Sequence, residues 1–312
     1  MDIVINLNKP KGITSQDAVT AVKKILNVKK AGHAGTLDPS ATGILLVCVD
    51  KATKLASYFS SLDKEYIAVM KLGEATDTQD SCGHIVERAD KVDVQEDEIE
   101  NALKSFAGRI LQKPPMFSAL KHKGQPLYKF ARKGVDISRE PREVHIRRIE
   151  LLKTYLPFVS FRVLCSKGTY VRTLCDDIGR KLGTFAHLSE LERSAIGPFG
   201  IEEALNLDEI PNPPSPPFGK GGQGGFESHF QSRGIYSMDA ALSWMPEIKV
   251  KEPVIKNVRN GNPIRMNDCL EIPVNLNAGD SVKIKSPQSE FLAIGSLIEN
   301  YKKTFRMDIV FA

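Results

Sequence analysis

Asp38 is the residue of this sequence best placed to do chemistry. It stands in GHAGTLDPSATG (residues 32–43), where Gly32, Gly35 and Gly43 allow tight turns or the close approach of a ligand to the backbone. Pro39 fixes its own φ and pushes Asp38 towards an extended conformation. GILLVCV (residues 43–49) follows and predicts a short buried strand. A carboxylate on a stiffened loop leading into the core is where catalytic groups usually sit. The same Asp could instead bond its own backbone as an ordinary turn residue. Arg172 is a second candidate, near the start of a helix predicted within SKGTYVRTLCDDIGRKLG (residues 166–183). A buried Arg there needs an anionic partner. Asp176 and Asp177 are local choices; Asp38 is the remote one that would make a site. Lys9 and Lys11, in NKPKGITS, and Lys29 and Lys30 bracket the approach to the Asp38 loop. Two lysine pairs beside one carboxylate hint at a polyanionic ligand, although single surface lysines are commonly just solvated.

The chain that must position these groups has 312 residues, enough for one large domain or two with an ample core. At 41% hydrophobic and 26% charged residues it reads as a folded globular protein. The net charge of +5 is compatible with a nucleic-acid partner without requiring one. Charge is segregated along the chain. Residues 74–100 hold ten acids against Arg88 and Lys91 and should face away from a polyanion. Residues 119–148 hold nine Lys or Arg against three acids, with Tyr128 and Phe130 among them. Basic residues interleaved with aromatics suit phosphates plus base stacking, though a solvated helix and hairpin would look similar. The five cysteines (Cys48, Cys82, Cys165, Cys175, Cys269) show no CxxC spacing. Zinc is not expected, and the scatter fits a reducing cytoplasm. Thr76, Asp77, Thr78 and Asp80 cluster but lack the glycine and distal Glu of a calcium loop. No apolar run reaches the length of a membrane span, and no signal-peptide pattern opens the sequence.

Periodicity predicts a strand at 2–7, then a helix capped by Thr14 and Asp17 with Val19, Val22, Ile25 and Leu26 as its stripe, ending near Asn27. A short helix is expected at 51–60. A strand at 64–73 follows, with Tyr66, Ala68 and Met70 on one face, and HIVER returns after a turn. Asp93 and Glu96 suit the cap of a helix over 95–107. Two strands are expected at 143–152 and 158–165. Residues 211–226 are too rich in Pro and Gly to build core and read as a linker or insertion. A short helix is expected over 236–245. Six short strand candidates over 248–312, separated by Gly, Pro and Asn, predict a small β-barrel.

Several blocks resemble, in order, those of the bacterial tRNA pseudouridine-55 synthases, the TruB-type family of pseudouridine synthases. KPKGITS and GHAGTLDPSATG resemble its signature loop. KEYIAVMKLGEATDTQD (residues 64–80), PPMFSALKHKGQPLYKFAR (residues 114–132), CSKGTYVRTLCDDIGRKLG (residues 165–183) and AHLSELER (residues 186–193) resemble its later motifs. The C-terminal segment resembles a PUA-type RNA-binding barrel. The resemblance implies an α+β fold: a mixed, mainly antiparallel sheet flanked by helices in a catalytic domain over 1–210, and the PUA-like barrel over 248–312; the Pro/Gly-rich linker or insertion, taken over 211–232, has no place in the family's pattern, and a connecting helix is expected over 233–247. It implies that Asp38 is the catalytic carboxylate, that Arg172 pairs with it, and that Tyr66 stacks on the target base and assists proton removal. It further implies that Tyr170 partners Arg172, His33 helps hold the RNA loop, and Leu191 lines the uracil pocket. Lys9 and Lys11 would grip phosphates. The implied activity is isomerisation of the uridine at position 55 of the tRNA TΨC loop, with no metal and no cofactor, by an enzyme that flips its target base; a cytoplasmic monomer with no membrane partner is the default expectation. Two other readings compete. A non-catalytic RNA-binding protein would use the basic stretch and the barrel, but would not need Asp38, Tyr66 and Arg172. A glycoside hydrolase would need a second catalytic carboxylate, for which Asp80 alone stands out.

Overall fold

A computed structural model describes residues 1–211, 233–298 and 304–311. Apart from Pro211, the expected Pro/Gly-rich segment lies outside the described residues. In chain order the elements are β1 (Ile3–Lys9), α1 (Ser15–Ile25), β2 (Ala31–Ala34), β3 (Thr42–Val49), α2 (Ala56–Ser61), β4 (Lys64–Leu72), β5 (Glu74–Thr76), β6 (Ile85–Arg88), α3 (Glu96–Lys104) and β7 (Gly108–Gln112). They continue with β8 (Lys121–His122), β9 (Gln125–Pro126), α4 (Leu127–Ala131), β10 (Arg142–Tyr155), β11 (Phe158–Cys165), α5 (Val171–Lys181), β12 (Ala186–Ile196) and β13 (Phe199–Gly200). The remainder are β14 (Ile235–Ser237), β15 (Glu247–Val250), α6 (Ile255–Arg259), β16 (Ile264–Arg265), β17 (Cys269–Glu271), β18 (Ser281–Lys285), β19 (Phe291–Ile298) and β20 (Thr304–Val310).

A ten-stranded sheet in the order β14-β1-β3-β12-β4-β11-β10-β7 forms the larger unit, with β2 on β3 and β13 on β12. Its pairings are antiparallel except β3 with β12. Alternation along β4 sends Ala68, Met70 and Leu72 into a core closed by α3 and α5, with Tyr66 at its margin. Helix α1 lays Ala18, Val19 and Val22 on β1 and β3. It begins as expected, with a reciprocal Thr14–Asp17 capping box.

The parallel crossing of β3 and β12 depends on Gly43. A Cβ at this residue would stand 2.3 Å from the Arg193 carbonyl oxygen, and φ is +97°. Only glycine lets the two backbones approach so closely.

The barrel is a nearly closed six-stranded sheet in the order β16-β20-β19-β18-β15-β17. It packs Phe291, Ile294 and Ile309 against Leu55, Phe59, Leu242 and Met245 of the larger unit. At the same seam Lys283 and Lys285 each place Nζ 2.8 Å from Asp239, and Glu247 completes the group.

Two expectations are corrected. No helix spans 236–245, the core of the connecting helix expected over 233–247. Residues 235–237 instead form β14 on the edge of β1, and only Ala240–Leu242 coil into a 3-10 turn. An available sheet edge outweighs the helical propensity of so short a segment. Helix α3 is capped by Gln95 and Glu98, not by Asp93 and Glu96. Asp93 lies two residues too early and pairs with Lys91 at 2.5 Å.

Candidate active site

The Asp38 loop joins β2 to β3 and is held from below. Ser15, at the start of α1, donates to the Leu37 carbonyl and accepts from the Leu37 N–H, so it ties the peptide groups on both sides of Leu37. Ala41 N–H closes the turn on the Asp38 carbonyl at 3.1 Å. Asp38 thereby presents its carboxylate towards the start of α5, where Arg172 emerges one residue after the Tyr170–Val171 junction.

Arg172 Nη1 lies 3.3 Å from Asp38 Oδ2, so the remote partner is the real one. It also lies 3.5 Å from Asp80 Oδ2, and Nη2 donates to the Phe117 carbonyl at 2.7 Å. The Arg172 side chain is 8% exposed, whereas that of Asp38 is 39% exposed. The local alternatives are engaged elsewhere or apart: Asp176 accepts from Arg180 and Gln79. Burial pushes the Asp38 carboxyl above the ordinary carboxylate value; Arg172 opposes this, Asp80 adds to it and Lys9 opposes it. Lost hydration thus outweighs the one guanidinium at this carboxyl.

Tyr66 faces the same space. On β4 it stands directly opposite Arg193 of β12, while Ala68 stands opposite Leu191. Tyr66 and Leu191 both pack on the margin of the core beneath α5. Burial raises the Tyr66 phenol; Arg193, within hydrogen-bonding reach, opposes this, and Asp38 is near enough to act on it. Tyr170 caps α5, and its ring lies 5.8 Å from the Arg172 guanidinium carbon. Gln112 bonds both its N–H and its carbonyl, fixing it there. His33 lies on β2 opposite Val47. Burial and Arg193 hold its imidazole below the usual value, which favours the neutral form, and its Nδ1 is buried without a partner.

The two lysines part company. Lys11 is exposed, but Lys9 is fully buried, its ammonium donating to the Pro10 and Ile13 carbonyls at 2.8 and 3.0 Å. Lys9 therefore holds the turn after β1 and does not present its charge to a phosphate. Lys121, Lys123, Lys129, Arg132 and Lys133 are exposed as well, in the segment that Phe117 ties to Arg172. Arg132 lies over the Tyr128 ring at 5.5 Å, and His122 meets Phe130 edge-on.

Sequence reasoning assigns Arg193 no role, and it offers Asp80 only as a hydrolase's second carboxylate, not as a partner of Arg172. Asp80 belongs to the acidic run expected to face away, yet it is 8% exposed and stands beside Arg172. Thr78 Oγ1 and Cys82 N–H bond its Oδ1, and its backbone bridges to Leu188 of β12. Arg193 lies two residues beyond Leu191 and so shares its face, which was the available signal. Among the described residues, no group of three or more His, Cys, Asp or Glu is placed to hold a metal, and no helix is long and apolar enough to cross a membrane.

This fold, with an Asp, an Arg and a Tyr meeting where β4, β12, α5 and the β2–β3 loop converge, has close relatives. Residues 23–171 match the N-terminal domain of the TruB family pseudouridylate synthases, and residues 172–212 match the tRNA pseudouridylate synthase B C-terminal domain. The chain belongs to the TruB family of pseudouridylate synthases. Among its relatives, the tRNA pseudouridine synthase B of Clostridium tetani is 41% identical over 95% of both chains. That of Syntrophus aciditrophicus is 42% identical over 96% of this chain and 92% of its own. Among solved structures, a chain from a Cbf5-Nop10-Gar1 complex superposes with a TM-score of 0.75 at 31% identity, covering 100% of this chain and 85% of that one. A chain from an H/ACA ribonucleoprotein bound to a substrate RNA containing 2′-deoxyuridine gives 0.73 at 29% identity, over 99% and 85%.

Proposed function

We propose that this protein isomerises the uridine at position 55 in the TΨC loop of tRNA to pseudouridine. The observation that carries the reading is the 3.3 Å approach of buried Arg172 to Asp38, with Tyr66 facing the same space. In the reaction the N1–C1′ bond breaks, the base turns, and C5 bonds to C1′. Asp38 must be ionised to act at the ribose, where a carboxylate is an effective partner for an anomeric carbon of oxocarbenium character. Because burial works against that ionisation, the guanidinium of Arg172 is needed both for charge and for the direction of the carboxylate.

The target base must leave its stack to reach Asp38. Tyr66 stacks on it and takes the C5 proton, Leu191 lines the uracil pocket, and Tyr170 holds Arg172 from the side. His33, neutral and at the loop, contacts the displaced neighbours. Phosphates of the T-arm lie along Lys11 and the exposed cations of 121–133, while the barrel adds affinity. The enzyme acts as a cytoplasmic monomer, with domains divided near residues 210 and 248.

The test is tritium release from C5-labelled uridine in a tRNA transcript. Release from a normal transcript, and none from one with cytidine at position 55, is expected. A full-length protein that binds the transcript but releases nothing would be an RNA-binding protein only.

A further inference from the structure

Behind Tyr66 lies a cation that the reaction described so far leaves without a task. Arg193 is 1% exposed and heads the largest fully buried side chains. Its backbone stands opposite Tyr66 on β4 and opposite Gly43 on β3. Its Nε donates to the Ile44 carbonyl at 2.7 Å, and Nη2 to the Gly35 carbonyl at 3.0 Å. A Cβ at Gly35 would lie 3.6 Å from Nη1 and 3.9 Å from Lys64 Cε. So the guanidinium is pinned to β3 and to the loop that carries Asp38, with Lys64 beside it.

Among the described residues no carboxylate lies within ion-pair distance of Arg193. Lys9 and Lys64, its buried neighbours, are likewise satisfied by carbonyl oxygens. A buried charge without a counter-ion must be held by dipoles, and it remains available to a negative charge that forms nearby. Tyr66, directly opposite Arg193 across the β4–β12 pair, is the reactive side chain on the same face. Arg has donors and no acceptor, so a phenol bonded to it accepts through oxygen and turns its own O–H away.

We propose that Arg193 is a positioning residue for Tyr66, holding the phenol oxygen as an acceptor and stabilising the phenolate that removes the C5 proton. This rests on the proposed isomerisation. The phenol proton first passes to solvent. The phenolate then takes the proton from C5, the C5–H electron pair returns to the ring, and N1 takes a proton from solvent, so no proton is gained or lost overall. The groups acting on Tyr66 come from each element around it: Arg193 from β12, Cys165 from β11 and Asp38 from the loop. Arg193 is the one cation among them.

The test is a cycle of Arg193→Met and Arg193→Lys, each alone and combined with Tyr66→Phe, in the full chain with C5-tritiated tRNA transcript. Single-turnover release at saturating tRNA and tRNA affinity are read separately. Arg193→Met should slow release about 100-fold, the effect of losing one preorganised donor to a developing anion, with affinity within about threefold. Arg193→Lys, which keeps the buried charge, should recover part of that rate; it also carries the test if Arg193→Met does not fold. Added to Tyr66→Phe, either change should cost less than about twofold further, because the residue it acts through is already disabled. Losses that multiply in the double variants, or an Arg193→Lys protein with wild-type rate, overturn the proposal while leaving the isomerase reading intact. A wild-type chain that releases no tritium overturns that reading and this inference with it.

Discussion

Two buried arginines flank the proposed chemistry and are neutralised in opposite ways. Arg172, at the start of α5, stands between the carboxylates of Asp38 and Asp80. Arg193, in the middle of β12, meets carbonyl oxygens, stands opposite Tyr66 and, among the described residues, pairs with no acid. The first arrangement is an ion-pair network whose strength depends on protonation and on three movable side chains. The second is a fixed positive charge held by backbone dipoles that neither titrate nor leave. The difference assigns the two arginines to different halves of the reaction: one directs an anion that already exists, the other awaits an anion that must form.

The largest effect expected on the Arg172 side comes from Asp38→Asn. It keeps the shape and removes the charge, and should reduce turnover by roughly 10⁴-fold while tRNA binding, measured by filter retention, stays within a few-fold. Residual activity above a few per cent would mean that Asp38 is not the acting carboxylate. Arg172→Lys keeps the charge but loses the planar fork, and should slow single-turnover release about 100-fold. Normal kinetics there would separate Arg172 from Asp38 and erase the contrast with Arg193.

A subtler effect lies in the pH profile. Because the Asp38 carboxyl is raised by burial, activity should fall on the acid side at a pH above the ordinary carboxylate range. Asp80 raises it further through like charge, so Asp80→Asn should move the acid limb of the single-turnover rate downwards. Arg172→Met, which removes an opposing cation, should move it upwards. An acid limb indifferent to both changes would show that the network does not govern Asp38. Equivalent changes at Arg193 should leave this limb in place.

The smallest effect is expected at the barrel seam, a third way of keeping buried cations. Burial alone would raise the Asp239 carboxyl, but hydrogen bonds from Lys283 and Lys285 carry it below its usual value. A depressed carboxyl contributes stability above its unfolded value and loses it as pH falls through the folded one. Asp239→Asn should therefore lower the melting temperature modestly at neutral pH, with the gap closing in acid. The rate with bound tRNA should not change. A gap of the same size at all pH values would mean that packing, not charge, holds the seam.

How much of this was legible follows from which contacts are local. The six strands of the barrel could be read because each is a short apolar segment between Gly, Pro or Asn, and all six form. Asp38 and Arg172 could be paired because both lie in recognisable blocks. Asp80 was obscured by its company, since one acid among ten reads as surface. Its position comes from a backbone bridge to Leu188, more than a hundred residues away. Arg193 and Lys9 were hidden for a related reason: a charged residue in a strand reads as the wet face of an alternation. Their burial arises where β1, β3 and β12 meet, and the parallel crossing at Gly43 that makes it is a nonlocal event.

One feature of β1 bears on how this chain could be rebuilt. Leu205 N–H donates to the Asn6 carbonyl, and Asn6 N–H donates to the Gly234 carbonyl, both within 3 Å. A single residue of β1 thus receives the chain on both sides of the Pro/Gly-rich stretch. With its two anchors side by side, the stretch between them is a place to insert sequence: doubling a flexible connection costs only about 0.6 kcal/mol in closure entropy. A fluorescent protein or affinity handle spliced there would enter and leave at one point, so labelled enzyme could be followed on tRNA without a tag at either terminus.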